Sequence, residues 1–306
     1  MAGSIRGSAW ADATAGSNTL GPRPALGDGA LARVVVALVR NRAALAGLVI
    51  VGAFLAVAVA ANRLPLANPL RMVPQDRMAG PSWALPLGAD AFGRDLLARL
   101  VYGARLSLEV AFASVLSALL AGTALGLAAG YAGGRVDQAL MRIMDVFFSF
   151  PAVLLALGIV AALGPQPTNV ILAIAVVYTP IFARVVRGPV LALKEREFVE
   201  ASRALGAPAR RIVGRHILPN LASVVVVQTS IALSWAVLTE ASLSFLGLSA
   251  QPPTPSWGAM LNEGRQNLEL APHLAVFPGL AIMLAVLGFN LLGDGLRDAL
   301  DPRRHS

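Results

Sequence analysis

In 306 residues the chain holds 56% hydrophobic and 14% charged side chains, no cysteine and a formal net charge of +8. A soluble domain carries roughly 25% charged residues, so this composition excludes a protein that covers itself with polar surface. The bilayer is the solvent it fits. Disulfides, thiolate metal sites and cysteine nucleophiles are excluded together, and the basic residues fall between apolar segments, where they set topology rather than bind nucleic acid.

Residues 1–30 are rich in Gly, Ala and Ser without apolar periodicity and are expected to form a disordered cytoplasmic tail. The first apolar stretch begins near Ala43, too far along for an ordinary cleaved signal peptide, so it is expected to stay as an anchor. Crossing a hydrocarbon core takes roughly 20 apolar residues. The segments 43–61, 106–131, 143–163, 169–188, 221–247 and 273–293 qualify. None alternates as a barrel strand would, and backbone exposed to lipid must satisfy itself, so each reads as a helix. In the second segment Ser114, Ala118, Gly122, Gly126 and Gly130 recur every fourth residue, a smooth stripe of the kind that lets helix backbones approach in lipid.

With the N-terminus inside, the segments 1–42, 132–142, 184–219 and 297–306 hold 18 of the 25 basic residues, which favours both termini cytoplasmic. The first outside loop departs from this rule with Arg63, Arg71, Arg77, Arg94, Arg99 and Arg105. An amphipathic helix over 90–106 lying in the outer interface is expected to account for these. The Pro-rich run 252–255 and Trp257 suggest an ordered cap at the outer interface, a depth that Trp favours.

The inside loop 189–219 is the most specific feature. Phe198, Ala201, Ser202 and Leu205 share one face of a short helix. Gly206 suits the left-handed position that ends it, and Pro208 the start of the next helix. Ala209, Ile212, Val213, His216 and Ile217 form a second apolar face, with Arg210, Arg211 and Arg215 on the other side; Pro219 marks the start of the fifth span. The module either folds onto its own helix ends or meets a protein partner, since a lone short helix is unstable in water.

Glu200-Ala201-Ser202, Gly206 and Leu218-Pro219 resemble the EAA loop of binding-protein-dependent ABC transporter permeases, with Ser202 replacing a usual alanine. The likeness continues in Leu87–Asp95 and Tyr102–Leu108, in Met141–Asp145 with Phe150-Pro151, in Glu240–Leu248 with Pro252–Gly258, and in Phe289–Asp298. The last of these are similar to the C-type permease of the dipeptide, oligopeptide and nickel import group; Ser249 stands where that group often has glycine. The resemblance implies an all-α polytopic membrane protein with six transmembrane helices and a type-1 ABC importer permease core. In that frame residues 31–102 hold the anchor helix and first extracytoplasmic loop, 103–298 the core, and 299–306 a cytoplasmic tail. It further implies a homologous second permease subunit, two cytoplasmic ABC ATPase subunits docked on Glu200, Ala201, Ser202, Gly206, Leu218 and Pro219, and an extracytoplasmic solute-binding protein. Half of an alternating-access pathway for peptides or similar solutes, in the inner membrane of a prokaryote, follows.

Chemistry of its own is not expected, nor any cofactor or metal. A phosphate loop needs a Gly-rich turn before its lysine, and the sole lysine, Lys194, follows Val190-Leu191-Ala192-Leu193. His216, His273 and His305 have no carboxylate partner nearby in sequence. Glu109, Asp145, Glu240 and Asp294 lie in or at the ends of spans, and intramembrane acids are often functional. They leave open an ion-coupled secondary transporter. Three of them sit near span ends, within reach of water, Arg142 or Arg297. Glu240 is deepest, to bond to neighbouring helices, face the pathway or protonate; Gly122 and Gly126 belong to pathway or helix packing.

Overall fold

The computed structural model describes residues 35–300; the expected tail 1–30 and most of 299–306 lie outside the described residues. Among those described there is no strand beyond one bridge between Ala89 and Asp95. The helices are α1 (Arg42–Ala60), α2 (Leu96–Ala132), α3 (Gly134–Phe148), α4 (Ala152–Leu163), α5 (Pro167–Leu193), α6 (Glu197–Ala204), α7 (Ala209–Ile212), α8 (Leu218–Phe245), α9 (Trp257–Arg265) and α10 (His273–Leu300). A π-turn, Val213–Ile217, joins α7 to α8. Among the described residues five spans are long and apolar enough to cross a membrane: α1, α2, α5, the continuous run Ala209–Phe245 formed by α7, the π-turn and α8, and α10.

The expected span 143–163 is broken: α3 and α4 meet at 87°. Pro151 disfavours a helical Phe150, and α3 has already closed at Ser149, whose N–H donates to Asp145 O at 3.1 Å. The 12 residues of α4 reach about 18 Å, too short to cross about 30 Å of hydrocarbon unaided.

Packing directions supply the missing crossing. The stripe Ser114, Ala118, Gly122, Gly126 and Gly130 is buried against α5. A Cβ on Gly122 would lie 2.5 Å from Phe182 Cβ, on Gly126 2.9 Å from Val186 Cβ, and on Gly130 2.7 Å from Val190 Cβ. The partners advance along α5 as the stripe advances along α2, so the two helices run parallel. Both then cross from the side of loop 61–95 (the loop side) to the side of residues 194–217 (the module side). The chain must recross between Ala132 and Pro167, so α3 and α4 together make one bent span. By contrast α10 runs antiparallel to α1 and α8: Gly47 meets Leu292 and Gly288 meets Val51, while Ser234 Oγ donates to Asn290 Oδ1 at 2.8 Å.

On the loop side the expected interfacial helix does not form. Residues 96–106 are the opening turns of α2, which Asp95 caps by accepting from Leu97 N at 2.8 Å and Ala98 N at 3.2 Å. Two of the anomalous arginines are buried in protein instead. Asp90 Oδ1 accepts from Phe92 N at 2.8 Å and Arg94 N at 3.0 Å, closing a turn, and its Oδ2 meets Arg94 Nε at 2.5 Å and Arg99 Nε at 3.2 Å. Glu263 of α9 completes the cluster, 3.1 Å from both Arg94 Nη2 and Arg99 Nη2. Paired in this way, Asp90, Arg94 and Arg99 tolerate burial that isolated charges would not. Trp257, expected in a cap on this side, is fully buried in protein. Its ring stands edge-on to Phe54 at 5.2 Å and its Nε1 donates to Leu100 O at 3.1 Å, bolting α9 to α1 and α2.

Two expected outcomes follow for stability. Gly126→Leu overpacks the α2–α5 contact, at a cost of about 1–3 kcal/mol, and lowers the thermal midpoint in detergent, whereas Ala128→Leu on the exposed face leaves it in place; equal midpoints would refute the close packing. Asp90→Ala leaves two buried guanidinium groups to share the single carboxylate of Glu263 and costs about 3–5 kcal/mol, read as a loss of folded protein in fluorescence-detected size-exclusion chromatography. Wild-type recovery would show that the cluster is not needed.

Candidate functional site

The module between α5 and α8 is built on a helix stop. α6 ends in a Schellman turn: Ala207 N donates to Ser202 O at 3.1 Å and Gly206 N to Arg203 O at 2.9 Å. Gly206 stands at φ +77, where any side chain costs about 1–2 kcal/mol. Pro208 caps α7. The π-turn then widens the backbone so that Ile217 points inward, and Asn220 Nδ2 returns to His216 O at 2.7 Å.

One face of this module is rooted and the other is bare. Val199, Ile212 and Ile217 are buried together with Val186 and Val190 of α5 and Leu221 of α8. Val199 is the anchor that periodicity missed, because attention falls on the Phe198, Ala201, Ser202 and Leu205 face. That face points outward: Phe198 is 37% exposed, Leu205 is 89% exposed, and Ala201 is exposed beside them. Ser202 is partly buried; its Oγ donates to Phe198 O at 2.8 Å and lies 3.4 Å from His216 Nε2. Glu200 is exposed in the first turn of α6, Leu218 is exposed at the head of α8, and Pro219 beside it occupies a position where a missing N–H costs nothing. Glu200, Ala201, Ser202 and Gly206 thus gather at one tip, with Leu218 and Pro219 at its base.

The remaining candidates lie elsewhere. Gly122 and Gly126 are buried in the α2–α5 contact. Glu240 has no exposed surface; Ser249 Oγ donates to its Oε1 at 3.4 Å, and Oε2 has no hydrogen-bond partner among the described residues. Glu109 and Asp294 are exposed on α2 and α10. Asp145 pairs with Arg184 rather than with Arg142, and Asp137 pairs with Arg187, so two ion pairs hold α3 to α5. Arg184 also lies 3.9 Å from the centre of the Phe148 ring at the elbow.

Among the described residues no three His, Asp or Glu side chains gather as a metal site. His273 packs against Gly88, and Lys194 Nζ lies at the α2–α3 turn, 3.1 Å from where a Cβ on Gly133 would stand.

Comparison with known proteins fits this geometry. Residues 122–306 match the family model described as binding-protein-dependent transport system inner membrane component. The chain is 48% identical over 269 residues to the dipeptide transport system permease protein of Alkalihalophilus pseudofirmus, covering 88% of each. It is 52% identical over 227 residues to the glutathione transport system permease protein of Pectobacterium atrosepticum, covering 74% of this chain and 75% of that one. In fold it is similar to a chain of the MetNI methionine ABC transporter in an inward-facing conformation, with a TM-score of 0.54 at 22% identity over 67% of this chain and 98% of that one. A bent six-crossing helical bundle, a rooted module with a bare apolar tip and these matches lead to one conclusion: the chain belongs to the family of inner membrane components of binding-protein-dependent transport systems.

Proposed function

We propose that the chain is one half of the membrane pathway of an ATP-driven importer of peptides or similar small solutes, and that the 195–219 module couples it to a separate ATPase. The carrying observation is the two-faced module. Its bare tip, with Leu205 89% exposed, is an apolar surface of the kind that partners cover. Its root in α5 and α8 means that a push on the tip reaches both helices without passing through a flexible linker. The chain's one lysine is committed to a turn of its own fold, so ATP hydrolysis falls to partner subunits, two by analogy with the family. A homologous permease supplies the other half of the pathway and an extracytoplasmic binding protein the solute. Peptides are favoured because relatives at about half identity are dipeptide and glutathione permeases. The ion-coupled alternative loses ground because Glu240 is sealed from both faces, whereas a proton carrier must meet water.

In this reading the module and both termini are cytoplasmic. Gly206→Val inserts into the membrane at the wild-type level but loses uptake and fails to co-purify the ATPase; normal uptake by this variant would remove the coupling role. Single cysteines fix the sidedness in a chain with none of its own. Ser82→Cys and Gln251→Cys, both at exposed positions, react with a membrane-impermeant thiol reagent applied from the extracytoplasmic side. Ala209→Cys reacts only once the membrane is opened, and its labelling in sealed cells would reverse the topology and sink the importer.

A further inference from the structure

α1 measures depth in the bundle. Its 19 residues span about 28 Å, close to the hydrocarbon thickness, and its middle, Ile50 and Val51, touches Gly288 of α10. Asn290 is two residues further along α10 and is tied to Ser234 of α8. The neighbouring Trp235 therefore lies within about 5 Å of the same level, near the middle of the membrane. Both face outward: Trp235 is 60% exposed and Asn290 is exposed.

This is a poor surface for lipid. Trp favours the headgroup level, not the midplane, and an indole N–H or an amide left in hydrocarbon is costly. Neither the Trp235 N–H nor the Asn290 Nδ2 has a hydrogen-bond partner among the described residues. Further along the same helices, Gln228 on α8 is partly exposed and Asp294 on α10 is exposed. They lie seven residues before Trp235 and four after Asn290, which puts them on the same faces. α1 shows what a lipid face looks like in this protein: its exposed positions from Ala43 to Val59 are all apolar or glycine.

We propose that the α8–α10 face bearing Trp235 and Asn290 lines the aqueous pathway and contacts the solute there. This rests on the importer reading above. Ser234 Oγ, 2.7 Å from Ile231 O, holds one edge of the Asn290 amide at 2.8 Å, and the two protons of Nδ2 leave at least one to donate to a carbonyl oxygen. The Trp235 ring offers an apolar platform beside it. A backbone amide with a small apolar side chain, the repeating unit of a short peptide, matches the pair.

The test uses the assembled transporter in lipid vesicles and a charged, water-soluble thiol reagent, with single cysteines replacing Trp235, Asn290, Leu287 and Val49. Leu287 shares the exposed face of α10, and Val49 is the lipid control on α1; four sites guard against one variant failing to fold. Trp235→Cys, Asn290→Cys and Leu287→Cys are expected to react at least tenfold faster than Val49→Cys. In parallel, Asn290→Leu raises the KM for uptake of a radiolabelled dipeptide severalfold while leaving ATPase co-purification unchanged. Labelling no faster than Val49→Cys would make this a lipid face, and cysteines that cross-link to a neighbouring chain without labelling would make it a dry interface; either overturns the proposal. Labelling reports water access and not transport, so its failure leaves the importer reading standing. Absence of uptake by the wild-type assembly would strike that reading alone.

Discussion

Lipid gives one helix no hydrophobic reward for meeting another, so close contact between spans depends on side chains small enough to let backbones touch. In this chain the buried stripe from Ser114 to Gly130 on α2 meets that constraint, and Gly47, Gly288 and Gly295 meet it between α1 and α10. Because the stripe seats α5 in parallel with α2, the chain between them has to return across the bilayer. The return is made by a bent pair rather than a straight helix. Its first arm, α3, is fastened to α5 through Asp137 with Arg187 and Asp145 with Arg184, so the parallel pair also supplies the anchor for its own connection.

The same pair carries the module. Val186 and Val190 lie one and two turns beyond Phe182, and they form the floor on which Val199, Ile212 and Ile217 rest. α5 is therefore packed on one side by α2 and roofed at its end by the module, and displacing the module without disturbing α5 would expose that small apolar core. At the opposite end, the Asp90–Arg94–Arg99–Glu263 cluster and the buried Trp257 hold α9 against α2. Both ends of the long helix are thus fixed by contacts between segments remote in sequence.

Much of this was legible in the residues because it is governed by local rules. Hydropathy located α1, α2, α5, α8 and α10, and the glycine after Leu205 marked the helix stop that φ +77 at Gly206 now displays. The bend escaped because a continuous apolar run hides a change of direction. The Ser149-Phe150-Pro151 step was its local signal, since the residue before proline resists helical geometry. Arg94 and Arg99 were misjudged for another reason. Charge rules describe average depth preferences, whereas Glu263 lies 164 residues beyond Arg99, and no local pattern announces such a partner. Val199 was overlooked because its isolated position gives no periodic partner on α6; its companions come from α5 and α8.

The length of α2 has a mechanical consequence. Its 37 residues extend about 55 Å, nearly twice the hydrocarbon thickness, without a proline to soften them. A rod of that length turns small rotations into large displacements: a tilt of about 10° about one end swings the other by about 10 Å. With α5 laid against it over much of this length, the pair is stiffer than either helix alone. Leverage of this kind lets an ångström-scale movement at one membrane face become an opening of molecular size at the other.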